Sequence, residues 1–310
     1  MSKLAIIIHG GAGPDSEFIQ KNKDAYQKAL KEAADIGYKI LEDGGNAVDA
    51  VEAAVNYLED NPLFNAGRGS ALNKKAEVEM GASIMNGQSG KSGAVDIVKN
   101  VKNPVTLARA VMDKTKHIYL GDMGAMEFGQ SIGIKYMPEA YFITDHAWEQ
   151  YVEATKEEDN KPEEAGDYQL KRKEHGTVGA VALDKDGNIA AATSTGGTEN
   201  KIQGRIADSS MIGIGTYADN ATCAVSSTGD GEHLIRHVMG FHLATLIKYK
   251  GMNVKDAAHY LMHVELKDVE GDMGFIALDT KGNLALEFNS ERMHRAWRTS
   301  DGEEGVGIYK

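Results

Sequence analysis

The chain has 310 residues, enough for one or two domains, and its 42% hydrophobic and 26% charged residues are typical of a folded globular protein. A formal net charge of -12 at pH 7 disfavours binding to nucleic acid or to an anionic membrane surface, except through a local basic patch. The single cysteine, Cys223, excludes an internal disulfide and a thiolate metal cage, and it favours a cytoplasmic location.

The N-terminal part predicts one strand followed by two helices. The apolar run from Leu4 to Ile8 predicts a buried strand that extends back to residue 3, and it is too short for a signal peptide or a membrane span. The glycine-rich HGGAG that follows predicts a turn. Apolar residues at helical spacing predict a helix over 22–42, and Asn46 is placed to cap a second, alanine-rich helix.

The next part predicts a loop, two strands and a third helix. Residues 61–69, with the sequence NPLFNAGRG, predict a structured loop. Strands are predicted over 77–85 and 93–98, and Pro104 is placed at the start of a helix that reaches about residue 116.

A charged segment then separates this half from a second one. Residues 152–176 are dense in charge and nearly free of large apolar side chains, which predicts a mobile, solvated linker. Two similar hairpins follow, VGAVALDKDGNIAAAT and MGFIALDTKGNLALEF, each with an ALDxxGN turn, and a helix is predicted over 231–248 between them. The mixed order of helices and strands predicts a layered α/β or α+β architecture.

Three motifs point to other chemistries but fail in their context. The segment MNGQSGKS has Met85 where a phosphate-binding P-loop needs its first glycine, and a predicted strand follows it instead of a helix. HGGAG is similar to an esterase oxyanion loop, but no serine has glycine on both sides. His233 and His237 have the spacing of a helical metal pair, yet no third ligand follows at a suggestive distance.

The junction between the charged segment and the first hairpin places Thr177 directly after Gly176. A threonine hydroxyl becomes a good nucleophile when a base lies beside it, and the threonine's own α-amine is such a base if the chain is cut before it. An α-amine has an unperturbed pKa of about 7.7–8.0, so a useful fraction is unprotonated near neutral pH. The junction therefore predicts self-cleavage between Gly176 and Thr177.

Several segments, in the same order along the chain, resemble the plant-type L-asparaginases, also called isoaspartyl peptidases, of the N-terminal nucleophile hydrolases. They are HGGAG, GGNAVDAVEAAVNYLEDNPLFNAGRGS, KNPVTLARAVM, HGTVGAVALDKDGNIAAATSTGG, NKIQGRIADSSMIGIGTYAD and STGDGEHLIR. The resemblance covers nearly the whole chain. It implies an α+β fold, a four-layer αββα sandwich, as a single domain over 1–310. It also implies cleavage into an α subunit, 1–176, and a β subunit, 177–310, which stay together and form a homodimer.

The same resemblance assigns roles to individual residues. Thr177 is the expected nucleophile, Thr195 its hydrogen-bond partner, and Thr228 with Gly229 the oxyanion site. The expected substrate-binding residues are Arg205 for an α-carboxylate, Asp208 and the Gly231 carbonyl for an α-ammonium, and Asn65 close to the nucleophile. A cation and an anion three residues apart also suit a substrate that carries both charges of an amino acid.

The loop from Leu58 to Arg68 resembles the family's sodium-binding loop. The resemblance implies a structural Na⁺ or K⁺ held by backbone carbonyls, and no organic cofactor. The expected ligands are the carbonyls of Leu58, Glu59, Asn61, Phe64, Ala66 and Arg68. Two positions depart from the family, because Gly81 and Asn86 replace aspartates that are common there.

These observations predict an autoprocessing amidohydrolase for small-molecule substrates. It would hydrolyse the side-chain amide of L-asparagine and cleave β-aspartyl dipeptides through an acyl-threonine. Three alternatives stay open. One is a glycosylasparaginase-like hydrolase, for which a secretory signal and disulfides would be expected. The others are a threonine endopeptidase of the taspase kind and a catalytically inactive member of the family that acts as a binding protein.

Overall fold

The fold comes from a computed structural model that describes residues 3–159 and 176–310. The strands in these ranges are β1 Ala5–Gly13, β2 Met80–Asn86, β3 Ser92–Val98, β4 Tyr119–Gly121, β5 Val178–Leu183, β6 Ile189–Thr195, β7 Thr216–Ala218, β8 Ala224–Gly229, β9 Met273–Leu278, β10 Leu284–Phe288, β11 Arg292–Thr299 and β12 Glu304–Tyr309. The α-helices are α1 Glu17–Lys21, α2 Lys23–Glu42, α3 Ala47–Asp60, α4 Pro104–Lys114, α5 Asp122–Ser131, α6 Asp145–Asp159, α7 Gly231–Arg236, α8 Met239–Lys250 and α9 Val254–Tyr260.

The strands form two sheets. The larger has the order β12-β11-β1-β5-β6-β2-β3-β4, and the smaller has the order β10-β9-β8-β7. Adjacent strands are antiparallel except for the parallel pair of β3 and β4. Strands from both sides of the predicted cleavage site are neighbours in the larger sheet, since β1 lies between β11 and β5, and β2 lies beside β6. Backbone ladders therefore join the two predicted subunits.

Three buried clusters fill the spaces between layers, and they explain the apolar run in β1. Side chains alternate between the two faces of a strand. Ile6 and Ile8 therefore pack on the side of helices α2, α3 and α4, whereas Ile7 packs between the two sheets. The third cluster joins α8 and α9 to the outer face of the smaller sheet, around Phe275. The order of layers is helix, sheet, sheet, helix, which confirms the αββα prediction.

Local signals in the sequence placed most of the predicted elements correctly. Asn46 caps α3, because its side-chain oxygen accepts a hydrogen bond of 2.9 Å from the Asp49 N–H. Pro104 lies in the first turn of α4, as predicted. Both ALDxxGN segments form the turns of antiparallel hairpins, β5–β6 and β9–β10. The segment MNGQSGKS forms the turn between β2 and β3, not a phosphate loop.

Three of the predicted boundaries were wrong. HGGAG is the second half of β1 and not a turn, because its glycines permit a register irregularity between His9 and Ala12 against β11. Residues 152–159 of the predicted linker belong to α6, where Trp148 and Tyr151 pack against each other at helical spacing. The helix predicted over 231–248 is interrupted. The remainder of the predicted linker up to 175 lies outside the described residues.

The interruption separates α7 from α8 at Val238. This residue has a left-handed φ of 48°, which is unusual for a β-branched side chain. The N–H groups of Gly240 and Phe241 donate to the carbonyls of Ile214 and Gly213, at 3.1 and 2.8 Å. The break thus turns the first N–H groups of α8 toward acceptors in the loop before β7.

Across the described ranges, no helix is both long enough and apolar enough to cross a membrane.

Candidate active site

Strand pairing brings the predicted nucleophile next to its predicted partner. Thr177 directly precedes β5, Thr195 ends β6, and Val178 pairs with Ser194 in the antiparallel ladder. Both threonines are buried, and their Oγ1 atoms lie 3.2 Å apart, with Thr177 donating to Thr195.

The carbonyl of Gly176 accepts hydrogen bonds from two side chains. Asn65 Nδ2 donates over 2.8 Å and Thr195 Oγ1 over 3.1 Å. A hydroxyl has one hydrogen to donate and two lone pairs to accept with. The Thr195 hydroxyl therefore donates a hydrogen bond to the Gly176 oxygen and accepts one from the Thr177 hydroxyl. Thr177, Thr195, Gly176 and Asn65 form the group called the nucleophile corner below.

Asn65 is held rigidly in this corner. Its Oδ1 accepts from the Ala71 N–H at 2.8 Å, its Nδ2 also donates to the Gly197 carbonyl at 2.6 Å, and its own carbonyl accepts from Gly196 N–H at 3.1 Å. The prediction that Asn65 lies close to the nucleophile agrees with this geometry. Its donation to the Gly176 carbonyl was not anticipated.

His9 joins the corner to the second sheet. Burial lowers the pKa of His9 to about 3, against the opposing effect of the Thr177 backbone, so the ring is neutral. Its Nε2 lies 2.8 Å from Ser226 Oγ, and Ser226 continues to Thr193 at 2.7 Å. The chain of hydroxyls proceeds through Thr216 to Ser83. The sequence offered no account of this histidine beyond its glycine-rich surroundings.

The predicted substrate-binding residues form a second group, called the clamp below: Arg205, Asp208 and Gly231. A β-carbon built on Gly231 would lie 2.8 Å from Asp208 Oδ1 and 3.2 Å from Arg205 Nη2, so the three residues converge. Asp208 is fully buried, and its Oδ2 has no hydrogen-bond partner among the described residues. A buried carboxylate oxygen without a partner is suited to bind a cationic group of a ligand.

The charge on Asp208 is costly in the unliganded chain. Burial raises the pKa of Asp208 to about 7; the guanidinium of Arg205 opposes this, whereas the carboxylates of Glu232 and Asp96 add to it. A carboxylate with a pKa perturbed this strongly is a common mark of a functional site.

Glu232 was missed by the sequence analysis although it directly follows Gly231. Its two carboxylate oxygens accept from Arg205 Nε at 3.0 Å and Nη2 at 2.8 Å. Burial raises the pKa of Glu232, but the hydrogen bonds and the charge of Arg205 outweigh burial and hold this pKa below its ordinary value. This two-pronged pair orients the guanidinium and leaves its Nη1 group for a ligand.

Thr228 and Gly229 end β8, on the sheet facing the corner. The Thr228 hydroxyl accepts from the Ala12 N–H at 3.2 Å, which leaves its own hydrogen to donate. Gly229 has a φ of 124°, a conformation that favours glycine, and a β-carbon there would lie 2.1 Å from the Asp272 carbonyl. These two residues are bonded to β1 and to the start of β9, and the structure gives no direct bond from either to Thr177.

A family model described as Asparaginase matches residues 2–308. The chain belongs to this asparaginase family. The "Isoaspartyl peptidase" of Escherichia coli strain K12 is 41% identical over 312 residues, which cover 100% of this chain and 97% of that protein. The "Isoaspartyl peptidase/L-asparaginase" of Homo sapiens is 42% identical, with 99% of this chain and 96% of that protein covered. The "Probable isoaspartyl peptidase/L-asparaginase 2" of Arabidopsis thaliana is 38% identical, with both chains covered completely.

The loop expected to bind a cation in this asparaginase-family protein is compact. Arg68 N–H donates to the Glu59 carbonyl at 2.7 Å, and Ala66 N–H donates to that of Phe64 at 2.9 Å. A β-carbon on Gly67 would lie 2.3 Å from the Glu59 oxygen, and one on Gly69 would lie 2.7 Å from the Phe64 oxygen. Backbone carbonyls thus converge on two glycines, and neutral oxygens of this kind fit a hard cation.

Asn86, one of the two departures from the family, stabilises the turn between β2 and β3. Its Oδ1 accepts hydrogen bonds from the N–H groups of Gln88 and Ser89, at 2.9 and 3.1 Å. An asparagine side chain that bonds to the backbone two residues further on is a common way to hold a turn.

The metal hypothesis for His233 and His237 finds no support, because neither belongs to a group of three metal-ligand side chains in the described ranges. Those ranges do contain one such group: His259, His263 and Glu287. Both of its histidines are exposed, and His263 Nε2 lies 2.8 Å from Glu287 Oε2. That contact is an ordinary surface pair between helix and strand.

Two charged residues beside the nucleophile corner and the clamp were also missed. A small pocket is lined by Thr195 of the corner, Arg205 of the clamp, Asp96 and Lys201. Burial lowers the pKa of Lys201 to about 8, and its Nζ donates to the carbonyls of Glu79 and Gly196 at 2.7 and 2.9 Å. No spacing rule could find this pair, because about a hundred residues separate its members in the sequence.

Replacement of Asp208 by asparagine should stabilise the protein in a pH-dependent way. Because the folded-state pKa is raised to about 7, wild-type stability falls as pH rises from about 4 to about 7, while a neutral amide does not titrate. We expect the melting temperature of Asp208→Asn to exceed that of wild type by more at about pH 8 than at about pH 5, corresponding to about 1–3 kcal/mol at the higher pH. Thermal melting at both pH values measures this.

The exposed Asp186 provides the control, since Asp186→Asn makes the same chemical change without altering a buried group. An Asp208→Asn difference that stays constant or shrinks with rising pH would contradict the charge state assigned to this residue.

Proposed function

We propose that the protein is a self-processing hydrolase that converts L-asparagine to L-aspartate and ammonia and cleaves β-aspartyl dipeptides through an acyl-threonine. One observation carries the proposal: Asp208, whose buried Oδ2 has no hydrogen-bond partner among the described residues, converges with Arg205 on Gly231, and Arg205 lines a small pocket together with Thr195 of the nucleophile corner. Family membership and the printed names of the relatives support the same activity.

The corner provides a direct route for the cut between Gly176 and Thr177. Thr177 Oγ attacks the Gly176 carbonyl carbon, and its hydrogen passes to Thr195, whose own hydrogen passes to the Gly176 oxygen. Asn65 donates to that oxygen and stabilises its developing charge. The C–N bond then breaks as the proton on the Gly176 oxygen is transferred to the nitrogen of Thr177 and the C=O bond forms again, which leaves an ester. Water hydrolyses the ester and frees the Gly176 carboxylate, the Thr177 hydroxyl and an α-amine.

In the processed enzyme that α-amine serves as the base. It takes the hydrogen of Thr177 Oγ as the oxygen attacks the side-chain carbonyl carbon of the substrate. Thr228 and Gly229 are proposed to stabilise the oxyanion, since the Thr228 hydroxyl has a hydrogen to donate. The proton moves to the leaving nitrogen as the C–N bond breaks, and water then releases L-aspartate from the acyl-threonine.

The clamp accounts for the substrate class. L-Asparagine and an N-terminal β-aspartyl residue both have a free α-ammonium and a free α-carboxylate, whereas an internal, normally linked residue has neither. Asp208 with the Gly231 carbonyl would bind the ammonium, and Arg205 Nη1 the carboxylate. A compound that lacks one of these charges leaves Asp208 or Arg205 buried without a partner. This lowers its binding affinity, so the clamp selects against such compounds.

The processed subunits, 1–176 and 177–310, are proposed to remain together as one domain and to associate as a homodimer. The ladders of β1 with β5 and of β2 with β6 support retention, since they hold residues from both sides of the cut in one sheet. Light scattering on processed protein tests the dimer.

We also propose a cytoplasmic location. Burial raises the pKa of the Cys223 thiol, which suits an unreactive, reduced cysteine.

We also propose a Na⁺ ion in the loop from Leu58 to Arg68. Its carbonyls, including those of Glu59 and Phe64, would bind the ion. When bound, the ion would stabilise the loop conformation. Because Asn65 lies in that loop, its side chain would stay directed at the Gly176 carbonyl.

Loss of the Thr177 hydroxyl should abolish both activities. Thr177→Ala should stay uncut on a denaturing gel and should release no ammonia from L-asparagine, whereas wild type should yield fragments 1–176 and 177–310. Thr177→Ser keeps a hydroxyl and is the matched control, with cutting and turnover retained at lower rates. Wild-type protein that stays uncut and inactive would instead support the inactive binding protein, and turnover in Thr177→Ala would show a different nucleophile. Activity on glycosylated asparagine alone would favour the glycosylasparaginase alternative.

Loss of the Asn65 amide should slow the cut selectively. Asn65→Ala removes one of two donors to the Gly176 oxygen, and we expect about a hundredfold to a thousandfold slower cleavage. A time course on denaturing gels measures the rate, with Gln88→Ala at the β2–β3 turn as the control. Cleavage of a folded Asn65→Ala chain at the wild-type rate would remove Asn65 from the mechanism.

Removal of Na⁺ should destabilise the protein by about 1–3 kcal/mol, because an ion that binds only the folded loop stabilises it by mass action. Melting is measured in choline chloride and again after graded addition of NaCl, with KCl as the ion comparison. The expected result is a saturable rise in melting temperature and faster self-cleavage. Identical melting in all three salts would rule out the ion.

A further inference from the structure

An irregularity in strand pairing lies beside the nucleophile corner. In the ladder of β2 with β3, Met80 pairs with Val98 and Ala82 pairs with Val95. Gly81 alone therefore lies opposite two residues, Asp96 and Ile97, which is a β-bulge. Bulges of this kind redirect a side chain and are common next to active sites.

The bulge is conformationally strained. Ile97 has a φ of 57°, in the left-handed region that β-branched residues avoid. Its N–H donates to Asp96 Oδ1 at 2.7 Å. Strained backbone persists where the surrounding structure enforces it, and such positions cluster at functional sites. The strain here directs the preceding side chain, Asp96, into the protein.

The buried Asp96 carboxylate contacts the turn that carries the clamp. Its Oδ2 accepts hydrogen bonds from Ser210 Oγ and, at 3.3 Å, from the Tyr119 hydroxyl of β4. Tyr119 and Ser210 also bond to each other. Ser210 belongs to the short 3₁₀ turn Asp208–Ser210, so Asp96 is tied to the backbone segment that presents Asp208.

Gly81 and Lys201 complete this arrangement. A β-carbon on Gly81 would lie 2.6 Å from Asp96 Oδ2, so a larger residue at position 81 would displace the carboxylate from its present place. Lys201 lines the same pocket, and its charge lowers the pKa of Asp96, which burial raises. Gly81 also pairs with Thr195 across β2 and β6. The carboxylate therefore occupies the space that an aspartate at position 81 would fill.

We propose that Asp96 is a positioning residue of the substrate clamp: the bulge in β3 places its carboxylate against Ser210, and this contact fixes the turn that presents Asp208 to the substrate ammonium. Gly81 leaves the space that this carboxylate occupies. The departure from the family at position 81 is thus matched by a carboxylate supplied from the neighbouring strand. This inference rests on the proposed function, because it assigns the clamp an ammonium ligand.

Asp96 also acts on Asp208 through its charge. The groups that act on Asp208 are Arg205, which lowers its pKa, and Glu232 and Asp96, which raise it together with burial. The cation Lys201 lines a pocket together with Arg205 and Asp96. Neutralising Asp96 removes one of the groups that favour the protonated form of Asp208. Binding of an ammonium by Asp208 should then persist to lower pH.

An exchange of the carboxylate between the two strands tests the positioning role. In processed enzyme, Asp96→Ala should weaken competitive inhibition by the product L-aspartate by about tenfold or more, because buried donors lose their acceptor. The double variant Gly81→Asp with Asp96→Ala restores a carboxylate to the vacated space and should recover most of that loss. Asp186→Ala, at an exposed site, should match wild type. Wild-type inhibition of Asp96→Ala by L-aspartate would overturn the proposal.

A pH series separates positioning from a merely structural role and remains informative if the double variant does not fold. In Asp96→Asn, the pH at which L-aspartate inhibition is half lost should move below the wild-type value. Succinate, which lacks the ammonium, should show little change with pH or with this variant. A lower melting temperature with an unmoved pH midpoint would show a structural role only and would overturn the proposal.

Different results would refute the proposed function and the proposed role of Asp96. Wild-type enzyme that neither cuts itself nor hydrolyses β-Asp-Leu would refute the proposed function. Active wild-type enzyme whose Asp96 variants bind L-aspartate normally would refute the role of Asp96 alone.

Discussion

The placement of Thr177 depends on the pairing of β5 with β1 on one side and β6 on the other. The ladder fixes the first residues of β5, and burial on both faces of the sheet prevents the strand from slipping by one residue, since a slip would reverse every side chain. Thr195 comes into contact with Thr177 because it ends the adjacent strand. The proposed chemistry therefore needs a rigid central sheet before it needs any particular side chain.

The clamp shows how electrostatic cost and function are related in this fold. A buried carboxylate at Asp208 is unfavourable until a cation binds, while the partly exposed Glu232 and the nearby Arg205 satisfy each other. In the proposed function, the substrate ammonium relieves the unfavourable burial of Asp208. The protein with an empty site is thus less stable than it would be with Asp208 paired. Relief of this destabilisation contributes part of the free energy of substrate binding.

Small residues and strain concentrate around the same region. Gly179 allows His9 and Ser226 to meet across the two sheets, since a β-carbon there would lie 2.0 Å from Ser226 Oγ. Gly81 leaves room for Asp96, and Ile97 adopts the strained conformation that directs this side chain inward. Polar side chains are thus buried where glycines leave room for them between neighbouring strands and sheets.

The sequence predicts the strands and helices with strong local signals, such as the apolar run in β1 and the Asn46 cap, because those signals depend on near neighbours. It also indicated Thr177, through a glycine and a threonine at a change in composition, and the family through a series of motifs. The prediction of a turn at HGGAG was wrong and the break at Val238 was missed, because contacts with distant strands and loops outweigh local preference there.

The packing of distant segments determines which polar groups meet. The donors on the Gly176 carbonyl come from residues 65 and 195, and the contacts of Asp96 come from residues 119 and 210. Such pairs have no periodicity or spacing in the sequence, since they arise when separate strands and loops pack into one interior. Burial, which sets the charge of Asp208 and the neutrality of His9, is likewise a property of the packed layers and not of the residue.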